Sequence, residues 1–176
     1  FMGLLEGEGW AVVSGSPERL FQKVGPRVLA RPIAGTRPRG RTEAEDLALE
    51  RELLASPKER AEHVMLLDLL RNDLARVARP GTVRVRELFT VERYAHVMHL
   101  VSEVEGRTGA SLGEVFQSLF PGGTITGAPK GTVMEAIREL EPVPRGAYTG
   151  SLGYVSGRGA DFNILIRSFQ KVGEEV

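Results

Sequence analysis

No cysteine occurs in the 176-residue sequence. Disulfides, thiolate metal sites and a cysteine nucleophile are thereby excluded, and the chain fits a reducing compartment, with a cytoplasmic location expected. There is no excess of charge of either sign, because Lys plus Arg and Asp plus Glu number 23 each. A broad basic surface for nucleic acid is therefore not expected. The most apolar stretch, VMLLDLL at 64–70, is too short to span a bilayer and is broken by Asp68. No membrane partner and no secretory leader are expected. What is present is a 41% hydrophobic complement, enough for the core of one medium domain. Phe1-Met2 opens in mid-pattern and VGEEV follows a strand-like run. Residues 1–176 are accordingly read as a fragment cut at both ends.

The pattern along the chain mixes strands and helices without a regular βαβ alternation. WAVVS (10–14) reads as a strand, GSPERL as a turn, and RVLARPI (27–33) as a second strand. Thr42 with Glu45 forms a capping signature ahead of a helix over about 43–54. Ser56, Pro57 and Glu59 open a second helix to about 77, with Ala61, Val64, Leu67, Leu70 and Leu74 at helical spacing. TVRVRELFTV (82–91) starts strand-like and YAHVMHLVSEVEG (94–106) reads as a long strand. Ser111 with Glu114 caps a short helix to about Phe120, and another helix follows Pro129. A hairpin of 146–156 and 162–172 closes the chain. The class is α+β, with antiparallel sheet and helices packed outside it.

Several residues could carry chemistry. Glu59 and Glu62 stand three apart on one helix face, and such a carboxylate pair can hold Mg²⁺ together with substrate oxygens. Glu59 is equally the fourth residue of a capping box, and Glu62 could be a solvated acid. In PIAGTRPRG (32–40), Gly35 permits close backbone approach and Thr36 offers a hydroxyl, in what could also be a surface turn. FPGGTITGAPK (120–130) supplies glycines, threonines and Lys130 before a helix, which suits an anion or a mechanical turn. It lacks the spacing of a phosphate-binding P-loop. His96 and His99 fall on opposite faces of the 94–106 strand, so one metal does not take both. Tyr148 and Arg167, expected on adjacent hairpin strands, could bind a carboxylate. Glu18 is an acid at a turn.

Seven blocks occur in one order: SGSPERL, RPIAGTRPRG, KERAEHVMLLDLLRNDLARVARPGTV, YAHVMHLVSEVEG, FPGGTITGAPK, PRGAYTGSLGY and DFNILIRSF. Together they resemble the chorismate-binding domain of the component I subunits of para-aminobenzoate synthase and anthranilate synthase, over nearly the whole chain. The resemblance implies two packed, roughly orthogonal antiparallel sheets with outer helices, here incomplete. It implies chorismate as substrate, Mg²⁺ as cofactor, and ammonia from a glutamine amidotransferase partner.

Carried over by motif, Glu62 and Glu59 correspond to the metal side, Glu59 acting through water. Gly35 and Thr36 correspond to contacts to the ring carboxylate. Glu18 resembles the general acid that protonates the departing hydroxyl, and His99 the histidine beside the ring. Tyr148 and Arg167 resemble the clamp on the enolpyruvyl carboxylate, and Thr124 faces the same site. A second glutamate segment and an upstream base position of the family find no match in this sequence, so weak or no turnover is expected from residues 1–176 alone. PGGTITGAPK and SPER favour the para-aminobenzoate branch, which yields 4-amino-4-deoxychorismate. HVMHLVS favours anthranilate synthase. Ala34 stands where some para-aminobenzoate enzymes carry a lysine that attacks the ring. Isochorismate or salicylate formation, and a non-catalytic chorismate-binding module, rank behind these.

Overall fold

The computed structural model describes residues 1–173. In chain order the elements are β1 (Met2–Gly7), β2 (Trp10–Gly15), β3 (Arg19–Val24), β4 (Arg27–Arg31), β5 (Ile33–Pro38), α1 (Glu43–Ala55) and α2 (Pro57–Ala75). After these come β6 (Arg84–Arg93), β7 (Val97–Arg107), α3 (Leu112–Leu119), α4 (Gly123–Thr126), α5 (Lys130–Leu140), β8 (Gly153–Ser156), β9 (Gly159–Asn163) and β10 (Ser168–Val172). They build two antiparallel sheets, one of three strands in the order β1-β2-β10 and one of seven. No helix among the described residues is long and apolar enough to cross a membrane.

β7 is the spine of the larger sheet. Along one edge, β4 pairs with its C-terminal part (Ala30 opposite Val104) and β5 with its N-terminal part (Ile33 opposite Val101). The two short strands therefore lie end to end, with Pro32 between them. Ser102 N–H closes the gap by donating to Pro32 O at 3.3 Å. β6 takes the other edge, and β3, β9 and β8 extend the sheet beyond β4.

Alternation along β7 sorts the two faces. Met98, Leu100, Ser102 and Val104 face the helices, where Leu53 of α1 and Leu74 of α2 are fully buried against them. His99, Val101, Glu103 and Glu105 face the other way, and Glu103 and Glu105 pair with Arg27, Arg31, Arg84 and Arg86. The main core joins Leu20, Phe21, Val28, Leu67, Leu74, Val104, Val115, Leu119 and Ile164. Phe21 meets Phe116 edge to face at 5.8 Å.

The caps read from sequence are present. Thr42 Oγ1 accepts from Glu45 N–H, Ser56 Oγ from Glu59 N–H, and Ser111 with Glu114 forms a reciprocal box. Four readings change. Arg19 and Leu20 do not belong to a turn but begin β3, a strand buried between β4 and β9, the second of which is remote in sequence. The expected strand over 94–106 begins at Val97, and His96 lies in the β6–β7 turn rather than on a strand face. The buried stripe of α2 is His63, Leu67, Leu70 and Leu74, whereas Ala61 and Val64 are exposed. The closing hairpin is short, because the chain leaves β9 at Asn163 and enters the other sheet as β10 at Ser168.

Candidate active site

β5 carries a bulge. Its register with β7 shifts by one residue between Ile33 and Thr36, so Ala34 and Gly35 leave the ladder. Gly35 takes φ +98°, and a Cβ there would stand 3.1 Å from Leu53 Cδ1, 3.2 Å from Glu59 Oε2 and 3.4 Å from Leu100 Cβ. Only glycine lets α2 bring Glu59 this close to the bulge. Beyond it, Thr36 lies opposite His99, and the Thr36 hydroxyl meets His99 Nδ1 at 2.9 Å. Burial, and then the positive charge of Arg167, push the His99 pKa down, so its imidazole is neutral. Tyr94 lies against the His99 ring, 5.6 Å between centroids, and donates to Glu92 at 2.6 Å.

The capping alternative for Glu59 fails on its side chain. Ser56 caps the Glu59 N–H, but the Glu59 carboxylate turns to Gly35 and to Arg37 Nη1 at 3.4 Å. Glu62 is half exposed and sits 3.6 Å from Lys58 Nζ. Each carboxylate is thus within reach of a cationic side chain, Arg37 for Glu59 and Lys58 for Glu62. Among the described residues, no group of three or more His, Asp or Glu side chains could hold a metal ion.

Glu18 is buried, and burial lifts its pKa to about 7. The Thr124 hydroxyl and the Ile33 backbone beside it offset part of that rise. Thr124 Oγ1 is a buried oxygen with no partner in strict hydrogen-bond geometry. Glu18 itself is held by its backbone, through the Ser16 hydroxyl and Ile164 N–H. The glycine loop reaches it because Gly122 packs on Ile164 and Leu20, and Gly123 on Leu69, where a Cβ would meet side chains at 2.7 Å. Lys130 is not available to an anion: its Nζ pairs with the buried Asp73 of α2 at 2.5 Å.

Tyr148 and Arg167 lie outside the strands expected for them. Their segments still run side by side, with Thr149 N–H donating to Leu165 O and Leu165 N–H to Gly150 O. Arg167 is exposed at φ 49° and within electrostatic reach of His99. Tyr148 lies under Arg145, 5.6 Å from its ring centroid, and lines an apolar cleft of about 510 Å³ with Phe120, Ile125, Met134 and Ile137.

The structure thus gathers Gly35, Thr36, His99 and Glu59 at the bulge of β5, with Glu62 on the same helix as Glu59. It places Glu18 beside Thr124 and the start of β5 at Ile33, and leaves Tyr148 on the apolar cleft. His63, one residue after Glu62, was not singled out from sequence. It is fully buried between Ala34 O (3.3 Å from Nδ1) and Ser102 Oγ (2.7 Å from Nε2). Burial pushes its pKa down. Its place on the 63-67-70-74 stripe was the available signal.

Two antiparallel sheets, the larger carrying helices on one face, are an architecture shared with solved structures of chorismate-utilising enzymes. The chain belongs to the chorismate binding enzyme family, whose sequence profile matches residues 1–176. It is 52% identical over 176 residues to aminodeoxychorismate synthase component 1 of Bacillus subtilis, covering 98% of this chain and 37% of that protein. It is 56% identical over 165 residues to anthranilate synthase component 1 of Streptomyces coelicolor, covering 92% and 32% respectively. The crystal structure of anthranilate synthase component I from Streptococcus pneumoniae superposes with a TM-score of 0.87 at 36% identity, over 97% of this chain and 38% of that one. The chain therefore spans about a third of the length of these relatives.

Proposed function

We propose that this chain forms part of a magnesium-dependent enzyme that aminates chorismate to 4-amino-4-deoxychorismate, using ammonia from a glutamine amidotransferase partner. The observation that carries the reading is the buried Glu18, whose pKa near 7 keeps a proton available beside the hydroxyl of Thr124. Hydroxide is a poor leaving group, so a ring hydroxyl departs as water only if an acid within reach protonates it. As ammonia adds to the ring, Glu18 gives its proton to the departing oxygen and ends as carboxylate.

The remaining groups orient the substrate. Gly35 and Thr36 receive the ring carboxylate, and the neutral His99, fixed by Thr36, lies beside the ring. Arg167 pairs with the enolpyruvyl carboxylate, with Tyr148 at its edge. Glu62, and Glu59 through water, would hold Mg²⁺, which when bound neutralises the ring carboxylate. Ala34 offers no amine for covalent attack on the ring, so ammonia adds to the ring directly rather than by displacing an enzyme amine.

The second reading is anthranilate synthase component I, in which pyruvate is then eliminated. It is supported by HVMHLVS and by the 56% identity to the Streptomyces coelicolor protein. Incubating the complete gene product with chorismate, Mg²⁺ and an ammonium salt, and identifying products by mass, tests both. Aminodeoxychorismate that retains its enolpyruvyl group supports the first reading. Anthranilate with free pyruvate replaces it with the second, and unconsumed chorismate overturns both.

A further inference from the structure

His63 bridges two irregularities that flank β7. On one side, the bulge of β5 removes Ala34 from the ladder, and His63 Nδ1 lies 3.3 Å from the Ala34 carbonyl oxygen. On the other side, β6 breaks register between Glu87 and Thr90, where Phe89 adopts φ 56°. The Phe89 N–H donates to Ser102 Oγ at 3.1 Å. Ser102 is fully buried, and its oxygen lies 2.7 Å from His63 Nε2.

Donor and acceptor logic fixes the direction of every bond. A carbonyl oxygen only accepts, so Nδ1 carries the imidazole proton. Nε2 is then an acceptor, and the Ser102 hydroxyl donates to it. The oxygen of Ser102 is left to accept from Phe89. The result is a chain of three hydrogen bonds, with every buried polar group partnered, running from the β6 bulge to the β5 bulge through one imidazole on α2. No other side chain on α2 hydrogen-bonds to the β5 backbone among the described residues.

The placement matters because of what adjoins it. His63 follows Glu62 directly and lies one turn beyond Glu59, whose Oε2 rests against Gly35. Ala34 directly precedes Gly35 and Thr36. We propose that His63 is a positioning residue: as the Nδ1–H tautomer it pins the Ala34–Gly35 bulge to α2, and so sets the spacing between the Glu59/Glu62 carboxylates and the Gly35–Thr36 backbone. This rests on the functional reading above for its consequence in catalysis, but not for the pin itself.

Two substitutions separate the two ends of the chain. In His63→Asn, the amide nitrogen takes the place of Nδ1 and keeps the donor to Ala34. In His63→Gln, the longer amide reaches Ser102 instead and leaves the Ala34 carbonyl unpaired. Both variants of the complete gene product are compared with the parent protein by amide hydrogen exchange of residues 34–37 and by chorismate kinetics, at temperatures where both remain folded.

The expected result is an increase of about tenfold or more in exchange at Gly35 and Thr36 in His63→Gln only. The same variant should show a KM for chorismate raised about tenfold, with kcat changed less than threefold, while His63→Asn stays within about threefold on all counts. Equal exchange and equal KM in the two variants would overturn the proposal, as would a parent protein whose imidazole nitrogen shifts report the Nε2–H tautomer. If the parent protein does not consume chorismate, the functional reading falls, and the exchange data alone decide whether His63 is the pin.

Discussion

Lys130 Nζ lies 2.5 Å from Asp73 Oδ2, and both groups are largely withdrawn from water. The pair ties the start of α5 to the last turn of α2, and the Ser118 hydroxyl donates to the Asp73 carbonyl from α3. The lysine that closes the glycine loop is thus a structural clamp on that loop. Its removal leaves a buried carboxylate without a counter-charge. Lys130→Met should cost about 3 kcal/mol or more in urea unfolding, and adding Asp73→Leu should recover most of it. A single variant as stable as the parent would show that the pair does not clamp the loop.

Glu18 gives a pH dependence with a defined sign. Its folded pKa of about 7 lies above the ordinary 4.5, so the folded state holds the proton more tightly than the unfolded state. The associated stability is fully present below pH 4.5 and is lost as pH rises toward 7. Its size is roughly 3 kcal/mol, from about 1.4 kcal/mol per pKa unit. Glu18→Gln should flatten this part of the stability profile. In the same variant, turnover at constant free ammonia should fall by about 10²–10⁴. In the parent, kcat/KM should decline above about pH 7.

Gly35→Ala meets two obstacles at once. The backbone is at φ +98°, and the new methyl would press on Leu53, Glu59 and Leu100. A loss of about 1–3 kcal/mol in unfolding free energy is expected. Half-saturation by Mg²⁺ should shift upward by about tenfold, because the methyl displaces Glu59. Calorimetric Mg²⁺ titration checks this, and an unchanged midpoint would separate Gly35 from the carboxylate pair.

Arg167 separates charge from backbone. It holds φ 49°, and its carbonyl accepts from Gly15 N–H at 3.0 Å. Glycine adopts that conformation freely, and its greater unfolded-state entropy offsets the gain. Arg167→Gly should therefore leave stability within about 0.5 kcal/mol while weakening chorismate binding by about tenfold or more. Unchanged affinity, measured by equilibrium titration, would remove Arg167 from the clamp.

The helices were legible because their signals are local: Thr42, Ser56 with Pro57, and Ser111 with Glu114 lie within one turn of the groups they cap. The meeting of Thr36 with His99 was not legible in any local stretch, since the two lie 63 residues apart. β3 was misread because the Gly15-Ser16-Pro17 sequence before it is turn chemistry, while the partners that make a strand of Arg19–Val24 include β9, far along the chain. His63 was overlooked because a polar residue interrupts an apolar pattern, although it occupies the buried stripe. The break between β9 and β10 follows from Arg167, whose left-handed backbone carries no sequence signal in a non-glycine residue.

β2 pairs with β10, Val12 opposite Gln170, and β3 pairs with β9, Arg19 opposite Asn163. β2 and β3 therefore find these partners only after the intervening strands and helices have been made. Until β9 and β10 have emerged, β2 and β3 each present one open edge, and closure of the two sheets is postponed. Such long-range pairing slows folding and leaves strand edges open to other chains. Refolding yield should fall with protein concentration, and a cut ahead of β9 should produce aggregate rather than a smaller folded core.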